Sequence, residues 1–298
     1  MDVVFRGADA RIADDTSRPL SRLQAGYSSP DGPTTKQEND EAEERKLPTA
    51  AVVFETIRKE GEDEIERTAP ALLFSGLAAG LSMCFSLIAM GVIGSALPPS
   101  PWHFLLESVG YTVGFVIVIL GRQQLFTENT RTPVLVFLKA PTTRVFLKVM
   151  RLWSLVLAAN LVGTLIAATL IVHSGAFGSD VQAALLKIGN DSVSYPWVTT
   201  FVKAIFAGWM LALMVWLLPV AEAAARPLII FAITYLPAAV KFTHIIAGSV
   251  DVIYAVERGA VSPFTYLGEF LVPVLIGNFI GGVGFVALLN FGQVASDN

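Results

Sequence analysis

Two side chains that can carry charge stand close together inside a long apolar stretch of the sequence. Lys241 and His244 lie in the segment KFTHII, about one helical turn apart. A histidine gains or loses its proton near neutral pH. Because ionisation is costly at membrane depth, an ionisable residue in such a place predicts a functional site. The alternative is a structural histidine that ties a helix end to a hydroxyl or carbonyl group.

The composition is that of a protein with several membrane spans. Of the 298 residues, 53% are hydrophobic and only 15% are charged, against about 25% in a typical soluble domain. The mean hydropathy is +0.59, and the net charge of -4 comes largely from a polar N-terminal segment. The single cysteine, Cys84, excludes an internal disulfide bond. The sequence contains no basic patch interleaved with aromatic residues, so nothing in it indicates nucleic-acid binding.

Charge and hydropathy divide the chain into four segments. Residues 1–48 are rich in Ser, Pro, Asp, Glu and Gln, and they are predicted to form a disordered cytoplasmic tail. Residues 49–68 predict an amphipathic helix resting at the membrane surface. Residues 69–292 are predicted to form a domain of six transmembrane helices, and residues 293–298 a cytoplasmic C-terminal tail. The N-terminus has no apolar run long enough for a secretory signal.

A transmembrane helix needs roughly 20 mostly apolar residues, and six segments of the sequence meet this requirement. The second and fifth spans carry polar interruptions, and a polar loop is predicted between the third and fourth spans. The predicted spans are residues 69–96, about 103–120, 145–172, 197–221, 227–256 and 270–292.

The distribution of basic residues predicts which side of the membrane the termini occupy. Cytoplasmic segments carry an excess of Lys and Arg. The segment joining the second and third spans holds five such residues, whereas the linkers after the first and third spans together hold only Lys187. With an even number of spans, both termini are therefore predicted to be cytoplasmic. The five residues are Arg131, Lys139, Arg144, Lys148 and Arg151.

Two landmarks recur along the chain at similar spacing and predict an internal repeat. Phe126-Thr127 in the first interruption matches Phe242-Thr243 in the second, 116 residues later. Asn160 in the third span matches Asn278 in the sixth, 118 residues later, and a glycine follows each after three residues. A repeat of three spans must insert its second copy upside down, which predicts an inverted-topology repeat with a pathway at the helix breaks.

These segments resemble the formate/nitrite transporter family. LFT after the second span, the histidine of the fifth span and PVLIGNFIGG in the sixth carry the resemblance, and GRQQLFTENT is similar to the YfdC-like branch. The resemblance covers about residues 70–292. It implies an aquaporin-like protomer in the bacterial inner membrane, with helices 2 and 5 broken, and a homopentamer with one pore per protomer. It also implies passage of small monovalent anions such as formate or nitrite, or of their protonated acids.

The resemblance also assigns roles to individual residues of the pathway. Phe126 would form an apolar constriction, Thr127 would offer its hydroxyl group to the central histidine or the substrate, and His244 would be that histidine. It would donate a proton or a hydrogen bond to the passing anion. The full set expected in the pathway is Leu125, Phe126, Thr127, Asn160, His244 and Asn278.

This chain departs from the family pattern around the histidine. Thr243 stands where the family has an acidic residue, Glu128 brings a charge to the first loop, and Lys241 brings another to the second. Glu128 and Lys241 either pair across the two halves, which would shift selectivity away from simple anions, or lie separately at the mouths of the pore.

Other functions remain open from the sequence. A channel for water or small neutral solutes would share the six-helix plan, although the two Asn-Pro-Ala motifs of aquaporins are missing. A membrane enzyme or sensor is the other alternative, but one histidine at membrane depth and one cysteine do not supply a metal-ligand set. The sequence has no nucleotide-binding motif, so transport driven directly by ATP is not expected. No metal or cofactor is expected.

Overall fold

The computed structural model describes residue 40, residues 46–287 and residue 292. The chain separates into two compact units, residues 1–47 and residues 48–298, and every element described below belongs to the second. All regular structure in the described part of the chain is helical. The predicted tails, residues 1–48 and 293–298, lie outside the described residues, except for residues 40 and 46–48.

Thirteen α-helices follow one another within residues 50–279. The first six are α1 (Ala50–Glu66), α2 (Ala69–Ser82), α3 (Cys84–Ala96), α4 (His103–Leu120), α5 (Phe126–Asn129) and α6 (Thr132–Lys139). The others are α7 (Thr143–His173), α8 (Ser179–Ser192), α9 (Trp197–Leu217), α10 (Arg226–Ala239), α11 (Ile245–Glu257), α12 (Pro263–Thr265) and α13 (Val272–Phe279). A 3-10 turn, Leu218–Val220, extends α9, and π-helical turns precede and follow α13 at Tyr266–Leu271 and Ile280–Ala287.

Five helical stretches of the described chain are long and apolar enough to cross a membrane. They are Ala69–Ala96, His103–Leu120, Thr143–His173, Trp197–Val220 and Pro263–Gly284. The predicted fifth span, 227–256, does not form one helix: its apolar sequence is divided between α10, which is shorter than the five stretches, and α11.

Two uninterrupted helices each pack closely against one other helix through small residues. Helix α7 lies along α2, where a Cβ atom at Gly80 would overlap the carbonyl group of Asn160. Helix α13 lies along α9 in the same way, and a Cβ atom at Gly208 would overlap the carbonyl group of Asn278. Small residues permit this approach, which compensates for the weak hydrophobic drive between helices in lipid.

Helix α1 begins where the sequence predicts an amphipathic helix and packs against α6. The Thr49 hydroxyl group caps it by accepting a hydrogen bond from the backbone N–H of Val52 at 3.4 Å. Phe54 and Ile57 are buried on its inner face. Gly61, an unfavourable residue inside a helix, allows close approach, because a Cβ atom there would overlap the Thr132 carbonyl group.

The prediction of a polar loop between the third and fourth spans is wrong, because residues 179–192 form the amphipathic helix α8. Leu185 and Ile188, three residues apart, are buried on one face of α8. That face packs against α3 and α11. A helical spacing of apolar residues within a mostly polar segment was the signal that the sequence contained.

Candidate functional site

The chain is interrupted at two positions, and both interruptions have the same backbone plan. Helix α4 ends at Leu120, and Arg122 follows with a positive φ of 50°. Helix α10 ends at Ala239, and Lys241 follows with a positive φ of 55°. Among the described non-glycine residues these two alone have positive φ angles. Each left-handed residue turns the chain out of the helix into a short extended segment.

The first break is held by Asn160, a fully buried residue of the uninterrupted helix α7. Its Oδ1 atom accepts a hydrogen bond from the backbone N–H of Phe126 at 2.8 Å. Its Nδ2 atom donates to the carbonyl groups of Gln124 at 2.9 Å and Gly76 at 2.7 Å. One side chain therefore connects the extended segment, the start of α5 and helix α2.

The second break is held in the same way by Asn278 of α13. Its Oδ1 atom accepts from the backbone N–H of Ile245 at 2.9 Å. Its Nδ2 atom donates to the carbonyl groups of Thr243 at 3.0 Å and Ala204 at 2.8 Å. Both amide N–H groups of each asparagine are engaged with backbone, and neither residue lines the two cavities described below. Asn160 and Asn278 therefore fix the backbone at the breaks, and their expected place along a pore stays a prediction.

The equivalent hydrogen bonds also correct the register of the sequence match. Arg122 corresponds to Lys241, and Phe126 corresponds to Ile245, a spacing of 119 residues in both cases. The pairing of Phe126-Thr127 with Phe242-Thr243, at a spacing of 116, is thus three residues out of register. His244 corresponds to Leu125, and each is the residue before a half-helix.

His244 connects the two breaks and is almost fully buried. Its Nδ1 atom accepts hydrogen bonds from the backbone N–H groups of Ile246 at 3.3 Å and Ala247 at 3.2 Å, so its side chain caps α11. Its Nε2 atom lies 2.8 Å from the hydroxyl oxygen of Thr127 in the other break. Because Nδ1 is an acceptor, the ring proton lies on Nε2, which donates to Thr127.

Apolar groups surround the His244–Thr127 contact. The ring of Phe115 meets the imidazole edge-on, with the ring centroids 5.1 Å apart. Leu125 and Phe126 are buried in the main hydrophobic core, and neither lines the cavities described below. The imidazole thus has an aromatic ring of α4 on one side, and the two apolar residues of the first break are part of the core.

One cavity, of about 450 Å³, adjoins the first break and is called the α1 cavity because α1 forms part of its wall. It reaches Gln124, Glu128 and Asn129, next to Thr127 in the sequence. Its charged lining residues are Glu60, Asp63, Glu64, Arg67, Arg122, Glu128 and Arg226.

A second, smaller cavity of about 90 Å³ reaches the histidine and is called the His244 cavity. Helices α3, α4, α8, α10 and α11 contribute to its wall. Its charged lining residues, apart from the histidine, are Glu107, Asp191, Lys241 and Asp251. Carboxyl groups outnumber basic side chains in the linings of both cavities.

Lys241 and Glu128 line different cavities, and the direct pairing of these two residues is not present. The Lys241 Nζ atom lies 3.1 Å from a carboxylate oxygen of Asp191. Glu128 lines the α1 cavity and Lys241 the His244 cavity. The alternative interpretation, in which each charge lies at a mouth of the pore, stays a prediction.

Glu64 of α1 is a titratable group of the α1 cavity that the sequence did not single out. The Thr132 hydroxyl group donates a hydrogen bond to its carboxylate. Burial raises the pKa of Glu64 to about 7, against the lowering effect of that hydrogen bond. Glu66, two residues further on, is exposed, and a hydrogen bond from Lys148 lowers its pKa.

Arg131 and Asp251 were also missed as buried charged residues. Arg131, which the sequence predicts to be a cytoplasmic surface charge, is 4% exposed and donates from Nη1 to the Leu211 carbonyl group at 2.5 Å. Asp251 is 7% exposed on α11. The signal for Asp251 was its position inside the apolar run of the fifth span, as for His244. Among the described residues, no group of three or more His, Cys, Asp or Glu side chains is placed to bind a metal ion.

The sequence profile described as "Formate/nitrite transporter" matches residues 51–292, which is most of the chain. The chain belongs to the formate/nitrite transporter family. It is 43% identical to the inner membrane protein YfdC of Escherichia coli K12, over 86% of this chain and 83% of that protein. It is 26% identical to the formate channel BtFdhC of Bacillus thuringiensis, over 80% of this chain and 93% of that protein.

Two solved structures share the fold. A pentameric formate channel with formate bound superposes with a TM-score of 0.68 at 17% identity, covering 76% of this chain and 98% of that one. An ion channel of the FNT family gives a TM-score of 0.71 at 18% identity, covering 81% of this chain and 98% of that one. At these identities the likeness concerns the fold alone, and it shows that this chain shares the all-helical fold of these two structures.

Proposed function

We propose that this protein is a channel or transporter, rather than an enzyme, for small monovalent anions such as formate or nitrite, or for their protonated acids. The observation that carries the proposal is the buried contact between His244 and Thr127. It joins the two helix breaks, and a cavity reaches each break. A relative named as a formate channel supports the choice of substrate class.

The matching breaks support two inverted three-helix repeats with six spans. Each half has a left-handed residue, an extended segment and an asparagine that makes the same three kinds of hydrogen bond. Discontinuous helices meeting near the midplane are typical of inverted-repeat transporters. In this arrangement α10 and α11 together form the fifth span, and α4 with α5 and α6 forms the second.

Both termini are proposed to be cytoplasmic, with the protein in the bacterial inner membrane. The basic residues at the start of α7 and the end of α6 support this orientation through the positive-inside rule. Arg131 adds nothing to it, because its side chain is buried. A homopentamer is proposed by likeness to the pentameric formate channel, and exposed apolar residues such as Phe74 and Leu170 suit a surface covered by lipid or by a neighbouring protomer.

The geometry favours hydrogen-bond donation by His244 over proton release. The Nδ1 atom is occupied by two backbone N–H groups, so a second ring proton there would break the cap of α11. The Nε2–H group faces Thr127 and is the group that a passing oxygen atom would meet. A neutral acid crosses apolar surroundings far more easily than its anion, and one directed donor lowers the cost of desolvating its oxygen.

Flux measurements in proteoliposomes test the proposed function. The panel contains formate, acetate, nitrite, chloride and hydrosulfide at two pH values, with wild-type protein and His244→Asn. We expect formate or nitrite flux in the wild type and a reduced flux in the variant. Absence of flux for every member of the panel would refute the proposal.

A channel for water or small neutral solutes is the second candidate, because carboxyl groups outnumber basic residues in both cavities. A negative lining disfavours anions and leaves neutral solutes unaffected. Swelling of proteoliposomes in an uncharged osmolyte, without anion flux in the panel above, would select this candidate.

A further inference from the structure

The His244 cavity contains a buried carboxyl group that has no partner. Asp251 lines this cavity and is 7% exposed. Its side chain makes no hydrogen bond or ion pair with any described residue. Asp251 lies on α11, seven residues after His244, which caps the start of that helix. Seven residues are about two helical turns, so the two residues lie on one side of the helix and about 10 Å apart along its axis. Gly248 lies between them in the cavity wall.

The ionisable groups around Asp251 come from three neighbouring parts of the structure. Helix α4 contributes Glu107 and Tyr111, the segment from α8 to α9 contributes Asp191 and Tyr195, and the second break contributes Lys241 and His244. Helices α3 and α13, the long helix α7 and the π turn before α13 add no charged side chain to this cavity lining.

Three further ionisable groups on and around α11 are engaged elsewhere. The Tyr266 hydroxyl group of the π turn donates to Ser249 at 3.1 Å, and Tyr254 donates to the Gln182 carbonyl group at 3.4 Å. Glu257, at the far end of α11, lies 3.4 Å from His173 of α7.

No basic side chain neutralises Asp251. Lys241, the one Lys or Arg among the lining residues, lies 3.1 Å from Asp191. Glu107 lines the same cavity as Asp251, and Glu107 itself lies 3.9 Å from His103. A buried carboxylate without a counter-ion or hydrogen bonds is costly, and a second carboxylate nearby increases that cost. These conditions favour a neutral, protonated Asp251.

A neutral carboxylic acid in this cavity is an available proton donor. An incoming anion would face the carboxylates of the lining, but the same lining also offers it the O–H group of Asp251 beside the imidazole of His244. General acids act when they lie within hydrogen-bonding distance of the acceptor, directly or through one water molecule. The cavity, at about 90 Å³, is large enough for a small monocarboxylate or a few water molecules.

We propose that Asp251 is the proton-exchange residue of the His244 cavity, and that a monovalent anion entering there takes its proton and passes His244 as a neutral acid. The O–H bond of Asp251 breaks while an O–H bond forms on the substrate. The Asp251 carboxylate then regains a proton from a hydronium ion of the bulk solvent, which water in the cavity relays, so that only neutral water is left. Passage in the opposite direction returns the substrate proton to Asp251. This inference rests on the proposed function.

The principal test measures proton-coupled uptake with Asp251→Asn. This substitution keeps the size of the side chain and removes the titratable carboxyl proton. Proteoliposomes containing a trapped pH dye receive formate at about pH 5.5 and about pH 7.5. We expect the variant to lose formate and proton uptake about 100-fold and to lose the pH dependence. Glu257→Gln, on the same helix but outside the cavity lining, is the matched control and should behave as the wild type. An Asp251→Asn protein with the flux and pH profile of the wild type would overturn the inference.

A spectroscopic measurement covers the case in which the variant folds poorly. The infrared difference spectrum of the wild-type protein between two pH values should contain the C=O band of a protonated carboxyl group that is missing from Asp251→Asn and shifted in Asp251→Glu. An ionised Asp251 at both pH values would contradict the inference. Wild-type protein that carries no anion at any pH would instead refute the proposed function, so the two failures are distinguishable.

Discussion

Asn160 and Asn278 make the same three kinds of hydrogen bond at the two helix breaks. Each accepts from the backbone N–H that begins a half-helix and donates to the extended segment before it and to a neighbouring helix. The polar backbone freed by the breaks is therefore satisfied by protein, as membrane depth requires.

Removal of either asparagine side chain should lower stability. Asn278→Ala leaves the N–H of Ile245 and the carbonyl groups of Thr243 and Ala204 without their partner, at about 1 kcal/mol for each lost hydrogen bond. Thermal unfolding of the detergent-solubilised protein measures the loss. Asn190→Ala, at an exposed position of α8, is the control. Equal melting temperatures for the two variants would contradict the structural role of Asn278.

Asparagine and alanine at position 244 should differ in stability. Asparagine is a good helix N-cap and can accept from the N–H groups of Ile246 and Ala247, so His244→Asn should melt close to the wild type. Alanine removes the cap and should cost about 1 kcal/mol. The comparison separates the capping role from transport: a flux defect in a stable His244→Asn protein then belongs to the imidazole.

The left-handed conformation of Arg122 predicts a reversed preference between glycine and alanine. At φ 50° glycine avoids a steric cost of about 1 kcal/mol, so Arg122→Gly should be more stable than Arg122→Ala. In the interior of α8 the order reverses. The free energy of unfolding of Lys187→Ala should exceed that of Lys187→Gly by about 1 kcal/mol. The same order at both positions would show that residue 122 does not adopt this conformation.

Glu64 should make stability depend on pH in the direction opposite to an ordinary ion-paired carboxylate. Its folded-state pKa of about 7 lies above the ordinary value of 4.5, so the folded protein binds more protons between these values. Stability contributed by Glu64 is fully present below about pH 4.5 and is lost as the pH rises toward 7. Glu64→Gln should remove this slope and raise the melting temperature by a few degrees above pH 7.

Glu66→Gln provides the contrast on the same helix. Since Lys148 lowers the pKa of Glu66, its contribution is present at neutral pH and is lost on acidification. The Gln variant should therefore be slightly less stable at neutral pH and equal to the wild type in acid. Parallel pH profiles for the Glu64 and Glu66 variants would contradict the different environments assigned to them.

The sequence predicted the breaks because polar runs inside apolar segments are rare and expensive. The alignment of the two breaks by their shared Phe-Thr pairs was three residues out of register, because it compared side-chain identities. The fold equates positions by backbone conformation, namely the positive φ of Arg122 and Lys241, and by the N–H groups that Asn160 and Asn278 bind. Neither property can be read from a shared Phe-Thr pair.

The sequence also led to wrong predictions for charged groups whose environment depends on packing. Arg131 lies beside a break in a segment rich in basic residues, so counting charges placed it at the surface, whereas the structure buries it. For Lys241 the sequence left two alternatives open, an ion pair with Glu128 or a separate position at the mouth of the pore, and neither included Asp191. Helix α8, which the sequence predicted as a polar loop, brings Asp191 within 3.1 Å of Lys241. Missing that helix removed the true partner from consideration.

Both nitrogen atoms of the His244 ring already have partners. Backbone N–H groups occupy Nδ1, and Thr127 receives the Nε2–H group. A solute that accepts a hydrogen bond from this imidazole must displace the threonine hydroxyl, which must rebind after the solute leaves. Under the proposed function, transit at this point is a competition between two acceptors for one proton donor, and the intramolecular contact is a closed resting state that each solute has to open.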